Sequence, residues 1–326
     1  MASRQSIWIV VGLLLFGLCG CTTQTTAPEQ HSVALVAKST KTEFWLSVFA
    51  GAEAAATEYN LKLTIMGPET EEDYETQNEM VAQCVEQGAQ ALVFSAIDYD
   101  NNGAAIDAAA KAGSKIVAID SNVNSEAVST YIGTDNYAAG QMAAQAALER
   151  VEGQLNIGII NYDMSSANGQ ERERGAIDTF TASGRAKVYG VINTLAEASQ
   201  SKLDTINLLQ QYPDINVLLA FNEPTSMGAA QAVEEMDCVE QIFLVGFDSN
   251  VETVDGLQEG SVDALIVQNP YAMGYLGVES AYKLLTGQGG TLQETVDTST
   301  QIVDRNNLFS MDSQKALFSF EQRRIP

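Results

Sequence analysis

The sequence predicts an α/β protein built from two doubly wound, Rossmann-like parallel sheets. Three observations lead there. The chain has 326 residues, too many for one ordinary core and comfortable for two. Its short β-branched runs lack the polar alternation of a half-exposed sheet. Between most of those runs lie Ala-rich stretches of helical length, and strands of that kind separated by helices form parallel sheets covered on both faces.

The strand-like runs are Val33–Ala37, Leu61–Met66, Ala91–Ala96, Lys115–Ile119, Thr130–Gly133, Leu155–Asn161, Lys187–Ile192, Val217–Phe221, Ile242–Phe247, Ala264–Val267 and Thr298–Val303. The helical segments are Glu43–Tyr59, Glu72–Gln87, Asn102–Ala112, Tyr137–Arg150, Asn168–Ala182, Gln200–Gln211, Thr225–Met236 and Tyr271–Leu285. Glu71, Glu72 and Asp73 open the second helix, where the dipole favours negative charge, and Gly88 and Gly113 close the second and third. The acidic stretch Glu69–Glu79 lacks the alternating ligands and central glycine of a calcium loop, so it reads as a solvated helix start.

Composition narrows the function. Seventeen Lys and Arg against 42 Asp and Glu give a formal charge of −25, which repels nucleic acid and offers no basic membrane patch. The only histidine, His31, stands before the first strand in a polar stretch. That leaves no Ser-His-Asp or Cys-His arrangement and no two-histidine zinc site within the chain. No catalytic residues, metal ligands or cofactor motifs are expected. Phosphate loops are absent too, since Gly287-Gln288-Gly289-Gly290 follows a helix rather than opening one.

The N-terminus carries its own signal. Ile7–Leu18 is a mostly apolar run after Arg4, too short to span a bilayer and suited to a signal peptide. Leu18-Cys19-Gly20-Cys21 resembles a bacterial lipobox, which would make Cys21 the lipidated mature N-terminus. The alternative, a plain secretory signal with a Cys19–Cys21 bridge, demands a strained disulfide. The Thr-rich segment 22–31 then reads as a tether. Cys84 and Cys238 are expected as buried thiols, with a bridge between them left open.

In open parallel sheets, ligands sit beyond the carboxyl ends of the strands. Here those ends carry Lys38 and Ser39, Asp120, Asp163, Asn193, Asn222, Asp248 and Gln268. Carboxylates and amides each contact neighbouring hydroxyls in pairs, so several converging make a polyol site. Phe44 and Trp45 could supply the aromatic face that a sugar ring's C–H surface prefers, although neighbours on a helix do not share one face. Each polar residue taken singly fits a helix cap equally well. A faint duplication runs through the chain. Strand, polar tip, Gly103-Ala104-Ala105-Ile106 and a strand ending at Asp120 match strand, polar tip, Gly228-Ala229-Ala230-Gln231 and a strand ending at Asp248.

At these residues the chain resembles the type I periplasmic-binding-protein family, in its ribose- and allose-type sugar-binding branch. The resemblance runs from about Ser32 to about Leu308. It rests on Val33-Ala34-Leu35-Val36 with Phe44-Trp45, Val117-Ala118-Ile119-Asp120, Ile132-Gly133-Thr134-Asp135-Asn136 with Gly140, Glu171-Arg172-Glu173-Arg174-Gly175, Ala220-Phe221-Asn222-Glu223, Val245-Gly246-Phe247-Asp248 and Val267-Gln268-Asn269-Pro270. It implies two domains joined by a three-segment hinge near Thr134, Gln268 and Asp297. The first domain would be 32–133 plus 269–297 and the second 134–268 plus 298–326, after a signal peptide at 1–21 and a tether at 22–31. The ligand contacts it implies are Phe44, Trp45, Asp120, Thr134, Arg172, Asn222, Asp248 and Gln268.

The departures from the family pattern are Thr42 and Glu43 where Asn often precedes the aromatic pair, Ser121 where Arg often follows the first-domain Asp, and Ala196 near the place of a second-domain aromatic. The expected role is therefore that of a monomeric, lipid-anchored, extracytoplasmic protein that captures a monosaccharide or similar polyol for an ABC importer's permease. The alternatives are a sensor subunit for a membrane receptor or histidine kinase, a binder of a nucleoside, and a glycosidase using Asp120 and Asp248. The related repressors begin with a helix-turn-helix, and the signal and tether here point away from them.

Overall fold

A computed structural model describes residues 30–162 and 164–318. The signal segment, Cys21 and Asp163 lie outside the described residues. The chain builds two six-stranded sheets. The first holds β1 (Ser32–Val36), β2 (Lys62–Met66), β3 (Ala91–Phe94), β4 (Lys115–Ile119), β5 (Val128–Gly133) and β11 (Thr295–Asp297), in the order β11-β5-β4-β3-β1-β2. All its pairings are parallel. The second holds β6 (Leu155–Tyr162), β7 (Ala186–Thr194), β8 (Val217–Ala220), β9 (Phe243–Phe247), β10 (Ala264–Val267) and β12 (Gln301–Asp304), in the order β12-β10-β9-β8-β6-β7. Here only the edge strand β12 runs antiparallel, beside β10.

The central strands are buried on both faces, as their continuous apolar runs require; β3, β8 and β10 are buried at every position. Helices cover both faces of each sheet. Around the first lie α1 (Glu43–Glu58), α2 (Tyr74–Glu86), α3 (Gly103–Lys111) and α9 (Pro270–Leu285). Around the second lie α4 (Asn136–Arg150), α5 (Ala167–Ser183), α6 (Ala198–Gln211), α7 (Glu223–Glu235), α8 (Val251–Glu259) and the C-terminal α10 (Met311–Leu317). Four buried apolar clusters result, one on each face of each sheet. The chain passes between the sheets after β5, after β10 and after β11.

Two tight helix pairs fix the layers. A methyl group on Gly51 of α1 would collide with the Tyr271 carbonyl of α9, and one on Gly274 with the Val48 carbonyl. In the other half, Gly140 of α4 faces the Arg172 carbonyl of α5, and Gly175 faces that of Tyr137.

The structure adds elements that the periodicity leaves out. β11 precedes the strand expected at 298–303, and that strand is β12, which starts only at Gln301 because residues 298–300 carry the chain from one sheet to the other. Helices α8 and α10 have nine and seven residues, too short for an apolar stripe to declare itself. Helix α2 starts later than expected: Asp73 is its N-cap, accepting from Thr76 N at 2.9 Å, and Glu71 and Glu72 are released to reach elsewhere. Cys84 is buried, Cys238 half-buried, and both are free thiols.

Candidate functional site: a polar cavity between the two domains

The carboxyl ends of both sheets face one polar cavity between the domains that is partly open to solvent. Its chemistry follows from how each strand ends. β4 and β9 both finish in an aspartate with left-handed backbone, Asp120 at φ 56° and Asp248 at φ 68°. Non-glycine residues seldom adopt that conformation, and it concentrates at sites where the surroundings hold it. Both aspartates line the cavity and both are buried. Asp120 accepts from Ser95 Oγ at 2.9 Å and from Asn168 Nδ2 of the opposite domain at 3.1 Å. Asp248 accepts from Gln268 Nε2 at 2.6 Å and from Glu223 N at 3.0 Å.

Arg172 organises the second half of the site. It is 1% exposed, far from the surface pairing that its acidic neighbours Glu171 and Glu173 could have offered. Its Nε donates to Asn136 Oδ1 at 2.9 Å, Nη1 to the Phe221 carbonyl at 2.5 Å and Nη2 to Gln268 Oε1 at 2.8 Å. The guanidinium lies 4.6 Å from the centre of the Phe247 ring, a stacking arrangement suited to arginine. Burial works against its charge, but Tyr162, Asp248 and Asp120 outweigh it and hold the pKa above the ordinary arginine value.

The aromatic pair divides. Trp45 is buried in the first domain's core, lines the cavity, and donates its indole N–H to Glu71 Oε1 at 2.8 Å. Phe44 is half-buried and meets Trp45 edge-on, with ring centres 5.2 Å apart. Asn222 lines the cavity and is also a cap, closing a capping box with Thr225 at the start of α7.

Thr134 is placed differently from the sequence expectation. It does not line this cavity. Its hydroxyl donates to Gln268 Oε1 at 2.8 Å, and it borders a separate groove on the hinge side with Tyr131, Asp135 and Glu171. The residue sits where the chain leaves the first sheet, and its short side chain turns toward the neighbouring crossing. Asn193, at the end of β7, is exposed and stands apart from the cavity. Ser121 is likewise absent from the cavity wall; its hydroxyl is buried without a hydrogen-bond partner.

Other lining residues were less visible in the sequence. Lys38, 2% exposed, is held by Glu71 at 3.5 Å and Ser166 Oγ at 3.3 Å and stands over the Tyr162 ring at 4.9 Å. Its position at the end of β1 was the available signal. Tyr162 ends β6 in the same way, whereas Glu71, Asn168 and Glu223 have no such signature. Glu71 lies in the acidic run before α2, Asn168 in the first turn of α5, and Glu223 just beyond the Asn222 cap.

The carboxylates are held out of water, and their ionisation responds. Burial raises Asp120 above its ordinary range despite Lys38 and Arg172. Burial pushes Asp248 to about 6, with Arg172 and Gln268 restraining it. Burial pushes Glu223 to about 7, restrained by the Phe44 N–H and Asn250. Such a site presents many acceptors and a few fixed donors to whatever occupies it.

Comparison with known proteins matches this architecture. The family described as "Periplasmic binding protein domain" matches residues 33–289. The D-ribose/D-allose-binding protein of Pseudomonas aeruginosa is 28% identical over 269 residues, covering 80% of this chain and 84% of that protein. The ribose import binding protein RbsB of Bacillus subtilis is 25% identical over 312 residues, covering 92% and 98%. Among solved structures, a carbohydrate transporter solute-binding protein from Agrobacterium radiobacter in complex with D-arabinose superposes with a TM-score of 0.86 at 26% identity, covering 89% of this chain and 100% of that one. An ABC transporter solute-binding protein from Agrobacterium vitis with bound D-fucose gives a TM-score of 0.85 at 26% identity, covering 88% and 100%. With these matches and two parallel sheets meeting over one polar cavity, the chain belongs to the periplasmic-binding-protein family, type I, in its ribose- and allose-type branch.

Proposed function

We propose that this protein captures a monosaccharide in the cavity between its two domains and delivers it to the permease of an ABC importer. The observation that carries the reading is the convergence of Asp120, Arg172, Asn222, Asp248 and Gln268 with the aromatic surface of Phe44 and Trp45 on one cavity. A sugar offers hydroxyls to the carboxylates and amides and a C–H face to the rings, and it needs no reactive group from the protein. The solved relatives that hold D-arabinose and D-fucose support the same reading. We therefore read the chain as a binding protein without catalytic activity.

The division into 32–133 plus 269–297 and 134–268 plus 298–326, with the hinge at the three crossings, belongs to this proposal. So do anchoring through a lipidated Cys21, an extracytoplasmic location and a monomeric state. Thr134 enters as a hinge residue that orients Gln268 rather than as a direct ligand contact. Ligand binding would shift an open–closed equilibrium by its differential affinity for the closed form.

Thermal unfolding against a panel of pentoses, hexoses, polyols, nucleosides and amino acids tests this. A ligand at a hundred times its Kd adds about 2.7 kcal/mol to stability. A shift confined to monosaccharides is expected. A shift with nucleosides or amino acids alone would retain the binding protein and discard the sugar.

A further inference from the structure

Two carboxylates reach across the cleft in opposite directions, and each ends on a backbone N–H of the other domain. Glu223 is the first residue of α7. Its Oε2 accepts from Phe44 N at 2.9 Å and its Oε1 from Glu43 N at 3.3 Å. These are the first two amides of α1, and opening amides have no acceptor within their own helix. The third, Trp45 N, is satisfied by Thr42 Oγ1 at 3.4 Å inside the same domain. Glu223 thus completes the cap of a helix in the opposite domain, where the helix dipole favours a negative group. It is itself held by Asn250 Nδ2 at 3.2 Å and by the bond from its own N–H to Asp248.

Glu72 mirrors it. It lies in the turn before α2, and its Oε1 accepts from Ala196 N at 2.8 Å in the link between β7 and α6. Acidic residues that sequence pattern assigns to helix starts therefore bridge the two domains, one from each side.

We propose that Glu72 and Glu223 form a reciprocal pair of latches that hold the two domains closed and set how long a ligand stays bound. This rests on the reading that the domains close on a ligand, and it adds a division of labour. Asp120, Arg172, Asp248 and Gln268 contact the ligand, whereas Glu223 is a positioning residue for the turn that carries Phe44 and Trp45. On opening, the freed amides and carboxylates pass to water, so each latch biases the equilibrium without locking it.

The test compares the wild type with Glu72→Ala, Glu223→Ala and the double variant. Small-angle X-ray scattering reads the closed fraction without ligand and with D-ribose, D-allose or D-arabinose. Stopped-flow fluorescence reads binding, because Trp45 is the only tryptophan among the described residues and stands in the cavity wall. We expect each single variant to lower the closed fraction and to raise the dissociation rate about tenfold, with association within about twofold of wild type. The double variant should show both effects combined. A closed fraction and dissociation rate unchanged in all variants would overturn the latches, as would a wild type that closes under none of these conditions. If no sugar perturbs the wild type but the variants still lose closed fraction without ligand, the monosaccharide reading fails and the latches stand.

Discussion

The two halves of the molecule share one framework and differ in how they use it. Read from the edge, the sheets are β11-β5-β4-β3-β1-β2 and β12-β10-β9-β8-β6-β7, so each strand of one half has a counterpart in the other. The fourth strand of each half ends in a left-handed aspartate at the cavity, Asp120 and Asp248. The connections then diverge. From β4 the chain runs directly to β5, whereas from β9 it builds α8, whose N-cap Asn250 supports Glu223. The first half contributes the aromatic pair and the Lys38–Glu71 ion pair; the second contributes Arg172, Asn222 and the network through Gln268. A repeated framework thus places the two acids, and the loops give each half its own chemistry.

The largest expected effect tests whether the two aspartates are equivalent. Asp120→Ala and Asp248→Ala should each weaken monosaccharide binding at least about a hundredfold, since each leaves ligand hydroxyls and neighbouring donors unpaired. Calorimetric titration of folded variants checks this. Near wild-type affinity in either would break the symmetry and remove that residue from the site.

Next come the paired glycines. Gly51→Ala and Gly140→Ala should each cost about 1–3 kcal/mol of stability, because both force closely packed helices apart. Only Gly140→Ala should also weaken binding, since its new methyl group meets the carbonyl of Arg172. Chemical denaturation and calorimetry separate the two effects. Equal losses of affinity would mean that the arginine has no special dependence on the α4–α5 contact.

A smaller effect concerns pH. Burial holds Asp248 at about 6 and Glu223 at about 7, above ordinary carboxylate values. The folded, closed protein therefore binds these protons more tightly than the unfolded chain. Their contribution is complete at acidic pH below the unfolded values and is lost as pH rises through 6 and 7. The Tm of the ligand-free protein should fall between about pH 5 and about pH 8, and Asp248→Asn with Glu223→Gln should flatten that slope. The smallest effect is expected from Ser121→Ala, which removes a buried hydroxyl without a partner and should leave stability within about 0.5 kcal/mol of wild type or raise it.

Much of the fold was legible because buried parallel strands announce themselves: Ala91–Phe94 and Val217–Ala220 contain no polar residue to confuse the pattern. The polar tips of β4, β9 and β10 likewise pointed to Asp120, Asp248 and Gln268. What escaped the sequence was local ambiguity resolved by distant contacts. Glu71 and Glu72 satisfy the rule for helix starts, and only the folded structure shows them bonded to Trp45 and Ala196. Glu223 reads as the first residue of a helix, and its partners stand some 180 residues away in sequence. Thr134 shares its segment with residues near the site, but its hydroxyl is spent on Gln268 at the neighbouring crossing.

The most direct test of the central claim is a crystal structure of the protein soaked or grown with the monosaccharide that gives the largest thermal shift. The account predicts one sugar enclosed between the domains, its hydroxyls bonded to both Asp120 and Asp248 and its ring against the surface of Phe44 and Trp45. A sugar bound to one domain alone, or outside the cavity, would contradict it.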